Sequence, residues 1–437
     1  MASDHTPQQL KRELGIWGAV LMGLGSIVGT GVFVSVGIAA NIAGPAVILA
    51  IAIGAIVATC NGLSSAQLAA NHAVSGGTYE YGYRYLSPRL GFIAGWLFLL
   101  AKSASAATAA LGFAGYLLGA FGIEGIAEQR YLIPTAIAAV VLFTVLVLSG
   151  IKRSNVANIA IVSITLLTLA FFITFGIGNL AELGTSNLVP FFKSKDKSTF
   201  ANVLHASALM FVAYTGYGRI ATLGEEVKEP RRTIPRAMIT AMIVIALLYI
   251  CVGLVSVGLG VGNLPETTTQ AAPLEAIAQN FNFAGSAQIM AVGAITAMLG
   301  VLLNLILGLS RVLLAMGRRQ DMPIWFAWLN RANTTPYVAV TTVGIAIALL
   351  VLIGNVRTTW SFSAFNVLIY YAITNLASLQ LNNNERLYPR WISIVGLASC
   401  LFLAFWVEWQ IWLVGLGIIA IGLGWHTLAL RLKQNSA

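Results

Sequence analysis

Charge is scarce in this chain. Of 437 residues only 9% are Asp, Glu, Lys or Arg, against 58% hydrophobic, and the mean hydropathy is +0.83. No soluble core of this length requires so much apolar material, so a soluble globular protein is excluded. Cysteine is nearly absent too. Cys60, Cys251 and Cys400 each fall in an apolar stretch, without metal or disulfide spacing, and read as small buried hydrophobes. All fifteen acidic residues fall in loops or at the ends of apolar spans. Within spans the ionisable groups counted are Lys102, Arg219, His205 and Arg311, with no carboxylate among them. A membrane enzyme would gather acids, histidines or thiols at one depth, so no enzyme is expected, and no cofactor or metal is implied.

What is present is a series of long apolar runs. They lie at about 15–40, 43–70, 89–119, 130–149, 155–178, 200–226, 235–261, 284–316, 336–354, 359–380, 388–407 and 409–430, each near or above the ~18–20 residues that a crossing helix needs. The expected fold class is therefore an all-α polytopic membrane protein with twelve transmembrane helices, a single domain over 1–437. The first fourteen residues are polar and no small-residue cleavage site follows a short apolar core, so the first span is expected to be retained.

The net charge of +10 raises nucleic acid as a partner, but its distribution argues for a membrane. With both ends inside, seventeen basic residues, Lys152 and Arg232 among them, fall in inner segments, and five, including Lys195, fall in outer ones. That bias predicts cytoplasmic termini in a cell membrane (inner or plasma), with the lipid bilayer as partner and no nucleic acid.

Four of the nine residues from Gly23 to Gly31 are glycine, in the middle of the first span. One reading is a helix that breaks in the membrane and exposes unpaired N–H and C=O groups, which hydrocarbon forbids unless they line a cavity or meet a ligand. The other is a close helix crossing, since Gly25-Ser26-Ile27-Val28-Gly29 fits GxxxG spacing. A second interruption, Phe211-Val212-Ala213-Tyr214-Thr215-Gly216-Tyr217-Gly218, lies in the sixth span, after a long break at 179–199. Broken first helices in two five-helix halves are the pattern of an inverted-repeat transporter with its site at the breaks. The halves would be 15–178 and 200–380, with 388–430 supplying two further helices.

Between these marks, Gly76 to Tyr85 holds four tyrosines and suits a short amphipathic segment in the cytoplasmic interface. His72 reads as a solvated or capping histidine at a helix end. Pro273 to Gln279 reads as an outer amphipathic helix over the external vestibule, and Glu225, Glu226 and Lys228 to Arg236 as an ion-paired inner loop.

Three stretches in order, Gly29-Thr30-Gly31-Val32-Phe33, then Glu225 through Ala237, then Ser310-Arg311-Val312 with Met322-Pro323, resemble the amino acid/polyamine/organocation (APC) superfamily of secondary transporters over nearly the whole chain. The resemblance implies a leucine-transporter-like five-plus-five inverted repeat with an α-amino acid held between broken helices one and six. Carried over by position, the substrate carboxylate would meet N–H groups around Gly29, Thr30 and Gly31, with the Thr30 hydroxyl in reach. The α-ammonium would meet carbonyls of Ile27, Val212, Ala213 and Thr215, with Tyr217 close by. Half-helix ends carry dipole charges of the sign each group needs.

Two departures concern the coupling ion, a proton or a counter-substrate. Relatives often place a lysine in helix five where this chain has Thr165, and sodium-coupled relatives use hydroxyls in mid helix eight where it has Met298 to Leu303. Lys102, deep in the third span among small residues, can supply that positive charge, or can simply stabilise the bundle through helix-end carbonyls. Arg219 reads either as an inner-gate residue or as a snorkelling partner of Glu225 or Glu226. Asn304 is a candidate pocket or gate residue, Arg311 snorkels, and His205 packs. With no acid in the spans, a neutral amino acid is favoured over a cationic one or a polyamine. Ring faces of Tyr214, Tyr217 and Trp96 keep the cationic alternative open, and a channel stands as the more distant one.

Overall fold

The computed structural model describes residues 15–72, 76–123, 125–150, 155–184, 186–192, 199–221, 227–264, 272–330 and 335–435. Lys152, Lys195, Glu225 and Glu226 lie outside the described residues, and with them the inner loop expected after the sixth span in its first part. The charge-poor stretches form helices, as hydrocarbon requires of backbone that crosses it, and no β-strand occurs among the described residues. In chain order these are α1 (Ile16–Ile27), α2 (Val36–Ala43), α3 (Val47–Asn71), α4 (Thr78–Tyr85), α5 (Pro88–Ala120), α6 (Ile126–Leu148), α7 (Asn155–Leu183), α8 (Thr199–Tyr214), the single turn α9 (Gly218–Ala221), α10 (Pro230–Gly258), α11 (Pro273–Ala278), α12 (Ser286–Arg318), α13 (Tyr337–Val351), α14 (Val356–Leu379), α15 (Arg390–Ala404) and α16 (Trp409–Asn435). Eight helical runs among the described residues are long and apolar enough to cross a bilayer, Gly31–Asn71 counting as one, and α1, α13 and α15 are shorter apolar helices.

Local chemistry sets several ends. Gly44 has φ 59°, a conformation that a side chain disfavours, and with Pro45 it stops α2 and turns the chain into α3. Ser87 accepts the Leu90 N–H at 3.3 Å and Pro88 fills the first position of α5, while Asn355 caps α14 through the Thr358 N–H at 2.9 Å.

The protein is apolar outside as well as inside. Leu167, Leu247, Leu349 and Ile421 are 71%, 61%, 61% and 67% exposed, a surface that hydrocarbon covers and water does not. Inside, small residues let backbones touch: a Cβ on Gly54 of α3 would lie 3.1 Å from the Phe211 nitrogen of α8. A buried polar layer ties α3 to α14 and α15. Gln67 donates to Ser378 at 2.5 Å, Ser64 and Ser378 each share a bond with Ser393 at 3.0 and 2.9 Å, and the Asn375 amide donates to Asn61.

The tyrosine segment is the helix α4, but its rings turn inward instead of lying in the interface. Tyr79 and Tyr83 each donate to Asp321 at 2.6 Å, and Tyr79 and Tyr81 are buried. Burial first, then the bond to Asp321, pushes both phenols far above their usual range, so they stay protonated donors. Arg319 pairs with Glu80 at 2.7 Å and lies 4.1 Å over the Tyr83 ring. Trp425 donates to the Asp321 carbonyl at 2.9 Å, and His426 approaches its carboxylate at 3.8 Å. His426 corrects the count of ionisable groups in spans: it is buried in α16, stacked on Phe92 at 4.6 Å, and a lone histidine near a helix end gave no sign of that.

A second ionic cluster joins α8, α14 and the turn before α16. Glu408 has Arg357 Nε at 2.9 Å and His205 Nε2 at 3.3 Å, so His205 packs as expected, against a carboxylate. Burial raises the Glu408 carboxyl, but the His205 bond and charge and the Arg357 guanidinium outweigh it and hold it below the usual carboxylate range. A carboxyl depressed in the folded protein contributes stability that is whole above about pH 4–5 and fades as pH falls toward the folded value. Glu408→Gln is therefore expected to remove about 1–3 kcal/mol at neutral pH. Thermal unfolding in detergent should show a midpoint lower by a few degrees, and the gap should narrow below about pH 4. An unchanged midpoint at neutral pH would show that the cluster contributes nothing.

Candidate functional site

Both glycine-interrupted stretches are breaks. α1 stops at Ile27, and Val28 is extended (φ −77°, ψ 109°). After Gly29 and Thr30 the chain resumes as a wide turn, Gly31–Ser35, before α2. Wide turns of this kind interrupt regular hydrogen bonding and gather at functional sites. α8 stops at Tyr214, and a tight turn, Thr215–Tyr217, leads into α9. Hence the first span is not a simple GxxxG crossing, although a close crossing is also present: a Cβ on Gly216 would lie 2.0 Å from the Ser26 carbonyl oxygen and 2.6 Å from the Ile27 nitrogen. The two breaks lie backbone against backbone.

The C-terminal ends of α1 and α8 meet. The Tyr249 hydroxyl of α10 lies 3.1 Å from the Ile27 carbonyl and 3.1 Å from the Ala213 carbonyl. Of the other two carbonyls expected around an ammonium, that of Val212 accepts the Thr215 hydroxyl at 2.8 Å and that of Thr215 accepts Tyr371 at 3.3 Å. Each half-helix end carries a partial negative charge, so this point favours a cation. At the start of the other half, the Thr30 hydroxyl is 4% exposed and has no hydrogen-bond partner among the described residues. Nor does the Gly29 N–H find a backbone acceptor among them. Unmet donors beside a helix start suit a carboxylate.

Gly29 and Gly31 differ in what they face. A Cβ on Gly29 would meet the tip of Val301 at 2.6 Å, whereas one on Gly31 would meet the Ala213 Cβ and Cα at 2.7 and 2.8 Å. The space beyond Gly31 is thus filled by helix backbone.

Lys102 reaches the second break. Its amine donates to the Thr215 hydroxyl at 2.9 Å. Thr165, expected from the resemblance to stand where related members often carry a lysine, donates to the Ile161 carbonyl of its own helix. Tyr217 packs its ring on Tyr371 at 5.2 Å and is fully buried. Arg219 is exposed on α9, and Asn304 is half-buried on α12. Of the rings proposed to hold a cation, Tyr214 donates to the Ile51 carbonyl at 3.2 Å and Trp96 to the Ile418 carbonyl at 3.1 Å. Tyr249 and Tyr371 were not anticipated. A tyrosine inside an apolar run carries no local signal of which distant carbonyl it caps. On α11, Leu274 bonds Tyr116, whose hydroxyl donates to the Phe33 carbonyl at 2.7 Å, so the outer helix is tied to the first break.

The amino acid permease family profile matches residues 18–432. A protein named as an uncharacterized transporter of Mycobacterium bovis is 36% identical over 417 residues, covering 95% of this chain and 91% of the relative. The branched-chain amino acid permease of Bacillus subtilis is 28% identical over 431 residues (94% and 91%). The chloroplastic cationic amino acid transporter 7 of Arabidopsis thaliana is 25% identical over 426 residues (92% and 72%).

Proposed function

This chain belongs to the amino acid permease family, whose named relatives are transporters and not enzymes, and on that premise we propose that it moves a neutral α-amino acid across the cell membrane by alternating access. In this reading the chain has twelve spans with both termini cytoplasmic, and 15–178 and 200–380 form the inverted repeat. The zwitterion lies between the two breaks, its carboxylate at Gly29, Thr30 and Gly31 and its ammonium at the carbonyls of Ile27, Val212, Ala213 and Thr215. The observation that carries the proposal is the pairing of unlike ends: two carbonyl termini converging on one hydroxyl, beside a helix start whose Thr30 hydroxyl is buried without a partner among the described residues. Backbone groups of this kind hold both charges of an amino acid without a charged side chain.

The choice of a neutral side chain rests on the spans' lack of carboxylates: a cationic side chain would find no acid there to pair with, while the substrate's own ammonium is met by backbone carbonyls at the breaks. The cationic reading draws on the cationic amino acid transporters of Arabidopsis thaliana among the relatives and on the ring faces of Tyr214, Tyr217 and Trp96.

A thermal-shift and binding screen of the twenty amino acids on purified protein tests this directly. Neutral members are expected to bind, arginine and lysine are not, and Thr30→Val should weaken the best binder about 10- to 100-fold through loss of one hydrogen bond to a charged group. Binding confined to cationic members would overturn the neutral reading, and saturable counter-transport in proteoliposomes separates a carrier from a channel.

A further inference from the structure

Tyr249 caps two carbonyls with one proton. A hydroxyl donates one hydrogen bond, and here it stands 3.1 Å from both Ile27 O and Ala213 O. It therefore satisfies one carbonyl well and the other poorly, or each in part. Both carbonyls end half-helices, both are buried with their residues, and the Tyr249 side chain has no exposed surface, so water does not make up the difference. The Tyr214 ring packs against that of Tyr249 at 5.0 Å and keeps it from swinging freely.

We infer that the Tyr249 hydroxyl is a built-in competitor for the substrate's ammonium: it ties the two breaks together through the carbonyls that the ammonium takes over on binding. This rests on the zwitterion placement proposed above and adds a residue and a regulation to it. An ammonium has three donors and a full charge, so it can serve Ile27 O and Ala213 O together, where the phenol cannot. Binding is then an exchange of one proton donor for a better one. The cost of releasing Tyr249 sets affinity low enough for the substrate to leave again, and each release returns a clasp between α1 and α8. A substrate lacking the α-amine gains nothing from these carbonyls.

The test compares parent and Tyr249→Phe in binding of L-alanine and L-leucine, and of propionate and isocaproate, the same acids without the amine. With the competitor gone and two carbonyls left without a donor, the amino acids are expected to bind about 5- to 10-fold more tightly. The amine-free acids should show no gain, a contrast that a general loosening of the fold would not produce. Should the variant fold poorly, a single fluorotyrosine at position 249 of the otherwise unaltered chain serves instead. Its fluorine resonance should shift on adding L-alanine or L-leucine and stay put with propionate or isocaproate. Equal or weaker amino acid binding by the variant, or a gain shared by the amine-free acids, overturns the competitor role while leaving the zwitterion site standing. A parent that binds none of the twenty amino acids overturns the zwitterion site and this inference with it.

Discussion

Gly216→Ala is expected to abolish transport while leaving the protein inserted in the membrane. The added Cβ would lie 2.0 Å from the Ser26 oxygen and 2.3 Å from its carbonyl carbon. Both are backbone atoms, so no rotamer change relieves the overlap and the two breaks must separate by more than an ångström. If the breaks hold the substrate as proposed, a displacement of that size between them costs on the order of 100-fold in rate. Radiolabelled amino acid uptake in proteoliposomes, corrected for inserted protein, is the measurement. Gly31→Val should be nearly as damaging, because its side chain meets the Ala213 Cβ and Cα, whereas Gly29→Ala meets only the tip of Val301 and should retain part of the activity. Gly308→Ala, with nothing within 4 Å, is the neutral control. Normal uptake by the Gly216 variant would mean that the breaks do not meet in the working protein.

Lys102→Met should produce the second large effect. Lys102 is about 20 Å along α5 at 1.5 Å per residue, too deep for its stem to reach water freely. A lysine at that depth costs about 2.5–3.5 kcal/mol, and its contact is a hydroxyl, not a carboxylate. We propose that this charge couples transport to protons; the alternative is that Lys102 only ties α5 to the sixth-span break. Uptake by Lys102→Met is expected to fall about 10-fold or more at neutral pH, and its profile from about pH 5 to 8.5 to flatten, where the parent rises or falls with pH. Retention of both rate and profile would remove Lys102 from coupling and leave it a structural tie between α5 and the sixth-span break.

The breaks were legible because glycine in mid-span is locally anomalous: four in nine residues from Gly23, and Gly216 and Gly218 around Tyr217, cannot be explained by a plain crossing helix. Which wall each glycine faces was not legible. Gly31 against Ala213 and Gly216 against Ser26 are contacts between segments nearly two hundred residues apart, and nothing in either segment names the other. Lys102 stood out as a lone charge for the same local reason, but its partner Thr215 did not. Periodicity, the usual guide to a buried face, is weak here, since lipid-facing and protein-facing sides are both apolar. That is why Tyr249 and Asn375 looked like ordinary members of their helices. The α4 tyrosines were misread because an interface and a buried carboxylate both attract phenols, and Asp321 lies more than two hundred residues on.

The strap at Asp321 has a mechanical consequence. α4 is joined to the segment after α12 by two phenol bonds to one carboxylate and by the Glu80–Arg319 pair, and α16 is tied to the same carboxylate residue through Trp425. Such an assembly transmits force as one piece: pulling the end of α12 drags α4 and α16, or else every tie gives way at once. Any movement that separates these elements is expected to break the ties together and so to slow steeply on cooling, because several bonds must be released in one activated event.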